Sequence, residues 1–205
     1  MFNVNTVIND LFEEQSRYGG RSAVEIYSEI LYEIDNTNIK LEKDSDFIRD
    51  VQNFFGIRPR TNAFMFNFCS NIRKIRNNYK IYNIYSVSND LIKFSKSKKE
   101  ISFSSKLLHL ADPGHSFVIY DRNVRSCFWM KNVKSYEKLK TKFDEFKNEI
   151  LTNNTNNILC AEYIEFLGVF DKKLKESGII LSENKKIDFY LWDRARYLNR
   201  YPVKM

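Results

Sequence analysis

Three prolines and six glycines in 205 residues leave this chain few places to break a helix. Proline and glycine are the strongest local interrupters. With so few of them, apolar spacing governs the local structure, and the spacing runs in threes and fours. Val4, Val7, Ile8, Leu11 and Phe12 form a first stripe. Ala23, Ile26, Tyr27, Ile30, Leu31 and Ile34 form a second, preceded by Ser22 and Glu25 at capping-box spacing. Phe47, Ile48, Val51, Phe54 and Phe55 form a third that ends at Gly56. After Pro59, Thr61 is placed to cap a fourth helix carrying Phe64, Met65, Phe68, Ile72 and Ile75.

Residues 79–87 are aromatic and β-branched and fit either a short strand or the start of a helix. A helix is expected over Ser88 to Phe94, then a polar turn over Ser95 to Glu100. Three strong helices follow near the C-terminus. Tyr136, Leu139, Phe143, Phe146 and Ile150 mark one. Ile158, Leu159, Ile164, Leu167, Phe170 and Leu174 mark the next, after the Asn-rich run 152–157 and before Gly178. Ile187, Tyr190, Leu191, Arg194 and Leu198 mark the last. The expected fold class is mainly α: a multi-helix bundle over residues 1–205, as one domain or two closely packed lobes. Seventeen Phe and twelve Tyr supply the core.

The chain carries a formal net charge of +7. A basic surface attracts polyanions, of which nucleic acid is the commonest. Cys69, Cys127 and Cys160 are far apart, form no Cys-x-x-Cys pair and sit in apolar stretches. They read as buried thiols in a reducing compartment, so a cytoplasmic location is expected. No apolar run is long enough to span a bilayer, and Met1 to Asp10 lacks the pattern of a signal peptide. No metal and no cofactor is expected: His109 and His115, the two histidines, are spaced poorly for a metal site.

The chemistry concentrates in residues 101–129. Ser102 to Ser105 read as a turn ahead of a helix that begins at Lys106, Leu107, Leu108 and Leu110. Asp112-Pro113-Gly114 reads as a second turn. Ile119-Tyr120-Asp121-Arg122-Asn123-Val124 then places Asp121 at the start of another helix. Basic residues surround the segment. Lys96, Lys98 and Lys99 precede it, Arg122 and Arg125 follow Asp121, and Arg73, Lys74 and Arg76 cluster on one helix. Arg58 and Arg60 flank Pro59 in a loop.

This order of turn, lysine and aspartate resembles the catalytic hairpin of helix-hairpin-helix DNA glycosylases, in particular the 8-oxoguanine DNA glycosylase branch. Ser102-Phe103-Ser104 stands where the family carries its Gly-hydrophobic-Gly turn. Lys106 matches the lysine of bifunctional members, and Asp121 matches the family's aspartate. The resemblance implies a glycosylase fold that binds double-stranded DNA as a monomer and removes a damaged or modified base. Asp121 would stabilise positive charge on the sugar. Lys106 would attack the sugar carbon and form a Schiff base. Ser102, Ser104, Ser105, Lys98, Lys99, Arg122, Arg125 and Arg73 would contact DNA.

Plainer readings of the same residues stay open. Asp121 alone is a good helix N-cap, Lys106 alone fits a solvated helix position, and the basic clusters fit ordinary solvated faces. Two alternative functions go with them. One is a nucleic-acid-binding module that keeps the fold without the activity. The other is an interaction or regulatory protein, for instance in phage defence, with no DNA role.

Overall fold

The regular apolar spacing produces ten α-helices and no strand among the described residues. The structure is a computed structural model, and it describes residues 2–57, 61–95, 100–112, 114, 116 and 117–201. The helices are α1 (Val4–Phe12), α2 (Ala23–Asp35), α3 (Ser45–Phe54), α4 (Asn62–Arg76), α5 (Ile84–Ile92), α6 (Ile101–Ala111), α7 (Arg122–Cys127), α8 (Tyr136–Leu151), α9 (Ile158–Glu176) and α10 (Glu183–Arg200). The ambiguous stretch 79–87 resolves into a 3₁₀ turn over Tyr79–Ile81 and the first turn of α5.

Local chemistry sets most helix starts. At α2 the Ser22 hydroxyl accepts from the Glu25 amide while the Glu25 carboxylate accepts from the Ser22 amide. That reciprocal pair satisfies two of the helix's orphan donors. Asp44, Thr61, Asn83, Asp121, Ser135, Asn157 and Ser182 cap their helices through side-chain oxygens. The box also holds the Glu25 carboxyl below its ordinary value, through its bonds to Ser22. Ser22→Ala is expected to cost about 1 kcal/mol near neutral pH. The cost should shrink in acid, as Glu25 takes up a proton and its half of the box weakens. Urea melts of both proteins at pH 7 and pH 3 check this, and an equal cost at both would contradict it.

The chain divides into two compact units, one of Met1–Leu11 with Val118–Met205 and one of Phe12–Phe117. The first unit is discontinuous in sequence and holds α1 and α7–α10. Its core is aromatic. Phe146, Tyr163, Phe166, Phe170 and Tyr190 stack or meet edge to face, with centroid separations from 4.7 to 6.3 Å. Within it, α10 is buried on nearly every side from Ile187 to Ala195.

The second unit holds α2–α6. Residues Ser104–Ala111 of α6 are buried without interruption, the pattern of a helix packed all round. Its neighbours in the unit are α4 and α5. An Arg21 guanidinium bonds both oxygens of buried Asp50 at 2.8 Å and also pairs with Glu29, tying the approach to α2 onto α3. No helix among the described residues is long and apolar enough to cross a membrane.

Candidate functional site

The segment between α5 and α6 departs from expectation. Ser102–Ser105 form no turn: α6 already begins at Ile101. The physical reason is that serine satisfies itself inside a helix where glycine would leave it. The Ser104 hydroxyl donates to the Glu100 carbonyl at 2.8 Å, and the Ser105 hydroxyl donates to the Ser102 carbonyl at 2.9 Å. Neither residue needs the positive φ that a Gly-x-Gly turn exploits. Ser104 and Ser105 are fully buried and Ser102 is partly exposed. The three therefore do not form a phosphate-facing turn. Just before α6, the Glu100 amide donates to the Ser88 hydroxyl of α5. Lys96, Lys98 and Lys99 lie outside the described residues.

Lys106 is not a solvated helix residue. It is 8% exposed, and its Nζ lies 3.4 Å from the Phe55 carbonyl. The rings of Phe55 and Phe103 flank the ammonium at 5.9 and 5.5 Å, the second backed by Phe64 at 5.1 Å. One turn on, His109 is fully buried. Its Nδ1 lies 2.9 Å from the Phe117 carbonyl and its Nε2 3.4 Å from the Tyr27 hydroxyl. Packing and these two contacts account for His109. His115 lies outside the described residues.

Asp121 begins α7 as expected, and its Oδ1 accepts from the Val124 amide at 2.8 Å. It is partly exposed. Arg122 beside it is exposed. Arg125 is held by its own unit: it donates to the carbonyls of Asp121, Lys131 and Val133 and lies 4.8 Å from the Tyr120 ring centroid. Lys106 belongs to the second unit and Asp121 to the first.

Arg73 is a correction. Instead of facing a ligand, its guanidinium reaches the end of α2. It donates to the carbonyls of Ile34 at 2.9 Å and Glu33 at 2.7 Å, and to those of Asn36 and Ile39. Glu33 and Ile34 lie in the last turn of α2, whose carbonyls lack intrahelical partners, and the positive charge suits the negative end of the dipole. Arg76, three residues later, pairs with Asp35 at 2.6 Å.

Sequence reasoning missed a buried ionisable group on α10. Lys185, Asp188 and Asp193 are each 3% exposed or less. Burial pushes the Asp188 carboxyl up to about 7, against the pull of Lys185 and with the help of the Asp121 charge. Burial also brings the Lys185 amine down to about 8, against the pull of Asp188 and Asp193. The spacing of Lys185 and Asp188 at i, i+3 was visible, but nothing local marked that face as buried.

No family model, curated protein or solved structure matches the chain.

Proposed function

We propose that this chain acts on DNA as a base-excision N-glycosylase with abasic-site lyase activity, in which Lys106 is the nucleophilic amine. The observation that carries the reading is the setting of Lys106. Its ammonium is held away from bulk water beside two aromatic rings and a carbonyl. Such a setting holds the side-chain nitrogen in one place, out of the solvent, as a positioned nucleophilic amine must be. The net charge of +7 suits a polyanionic substrate.

In this reading the neutral Lys106 nitrogen bonds to the sugar C1′ while the N-glycosidic bond breaks. The base leaves with the bonding pair and takes a proton. Loss of the amine proton and opening of the sugar ring give the Schiff base, from which the 3′ phosphate can be eliminated.

Borohydride reduction of the protein mixed with an abasic-site duplex is expected to yield a covalent complex that Lys106→Gln abolishes. The same Lys106→Gln variant is expected to release less free base from a panel of modified-base duplexes than the native protein. Native protein that traps no complex and releases no base sinks the enzymatic reading.

A second reading is a DNA-binding module without activity. The specific observation favouring it is that the Asp121 carboxylate already serves the Val124 amide. It predicts salt-dependent duplex affinity that survives Asp121→Asn.

A further inference from the structure

Four helices of this chain end in the same backbone motif, and one of the four carries the wrong residue for it. After α3, α7, α8 and α9 a single residue takes a left-handed conformation: Gly56 at φ 58°, Trp129 at φ 55°, Asn153 at φ 50° and Gly178 at φ 68°. In each case the next amide reaches back to close the helix. Ile57 bonds the Gln52 carbonyl at 2.8 Å, Met130 the Arg125 carbonyl at 2.8 Å, Asn154 the Glu149 carbonyl at 3.0 Å and Ile179 the Leu174 carbonyl at 3.0 Å. Glycine and asparagine are the residues this position favours. A bulky side chain there is a backbone outlier.

Trp129 gains no burial in compensation, being 80% exposed. Folding therefore gives no reason for a tryptophan at this position. Strain of this kind gathers where a ligand is met.

Beside Trp129 lies a cavity of about 150 Å³. Phe128 and Phe146 give it an aromatic wall, their centroids 5.9 Å apart and edge to face. Glu145, Glu149 and Lys142 give it a charged wall. Glu149 is fixed in place: its Oε2 accepts from the Asn157 side-chain Nδ2 and from the Cys160 thiol. Lys142 pairs with Glu145 at 2.6 Å. A cavity of this volume accepts one six-membered ring, so the N1–C2 edge of a purine can enter it while Trp129, which lines the same cavity, offers a second ring face.

We infer that Trp129 and this cavity form a stacking site for an unpaired nucleobase, with guanine the best fit. Base–aromatic stacking is tolerant of sequence, so the aromatic wall sets only the class of ligand. The carboxylates set the preference. A carboxylate accepts and never donates when ionised, so it favours an edge with adjacent N–H donors. Guanine presents two, N1–H and the 2-amino group. Thymine presents one N–H between two carbonyls, which the carboxylates repel. Lys131, Lys134 and Lys138, all exposed, lie on the segment that leaves Trp129 and suit the strand's phosphates. The site does not depend on the lyase step: no bond breaks here.

The chain has two tryptophans, so Trp192→Phe leaves Trp129 as the sole indole. Its fluorescence is read against a single-stranded thymine oligonucleotide carrying one central guanine, and against the all-thymine strand. Quenching is expected, with a midpoint about tenfold lower for the guanine strand. Glu149→Gln should remove that preference while quenching persists. Trp129→Gly should weaken strand binding, followed by fluorescence anisotropy of a labelled strand, and at the same time raise the melting temperature. Absent quenching, equal midpoints for the two strands, or strand binding untouched by Trp129→Gly would each overturn the assignment. Quenching retained in a protein that traps no abasic-site complex would remove the Lys106 reading and leave this one standing.

Discussion

Arg73→Ala is expected to cost about 3 kcal/mol of folding stability, because each charge-assisted hydrogen bond contributes roughly 1.5–3 kcal/mol and four carbonyls lose a charged donor together. Those carbonyls belong to Glu33, Ile34, Asn36 and Ile39 at and beyond the end of α2. The contributions do not add in full: the side chain is only partly buried, and water can replace some of the lost bonds. Arg73→Lys should recover less than half of the loss. An ammonium concentrates its donors at one point, whereas the guanidinium spreads five over a planar fork. Urea unfolding followed by far-UV circular dichroism measures both variants, with the midpoint moving and the slope unchanged. A loss below about 1 kcal/mol would mean the guanidinium contributes no more than an exposed ion pair.

Lys185→Met is expected to cost about 3 kcal/mol at pH 8, in the range for breaking a buried pair by removing one partner. The loss should be about half that or less at pH 5. Lys185 is 2% exposed, with its Nζ 4.8 Å from the Phe189 ring centroid. Its charge is what opposes the upward push of burial on Asp188. Without it the carboxyl titrates above its native value of about 7. An unfolded aspartate releases its proton near 3.9. Between those two values the folded state holds more protons than the unfolded, so stability falls as pH rises. The substitution extends that fall to higher pH.

The lysine itself works in the opposite sense. Its folded value of about 8 lies below the unfolded one, so the native protein regains stability as pH rises above 8. The variant should lack that recovery. The double variant Lys185→Met, Asp188→Leu should return close to native stability at both pH values, because an apolar pair needs no solvation. A single variant as stable as the native protein at pH 8, or a loss equal at pH 5 and pH 8, would contradict the coupling.

Helix positions were legible because they rest on near neighbours. The Ser22–Glu25 box, the Thr61 cap and the Asp121 cap each join residues three positions apart. The helix stops at Gly56 and Gly178 depend on a single φ. Two local readings were off: α5 runs Ile84–Ile92 rather than Ser88–Phe94, and Ser102–Ser105 form no turn. Serine resembles glycine in a motif, but its hydroxyl can return to a carbonyl of the preceding turn, and here it continues the helix.

Burial was the quantity the sequence withheld for charged residues. Lys106, Lys185 and Arg73 look alike as basic helix residues. Tertiary packing put the first beside Phe55, buried the second with Asp188, and set the third against the carbonyls of α2.

The sequence alone determined that this chain is helical, where most of its helices begin and end, and that it is basic. Those properties follow from interactions within a turn or two of the chain, and from a count of charges. Only the tertiary structure decided which cations are exposed, which carboxylates are strained toward neutrality, and that Trp129 stands on a left-handed residue over a cavity. A side chain's solvation depends on residues brought from distant helices, and local spacing carries no record of them.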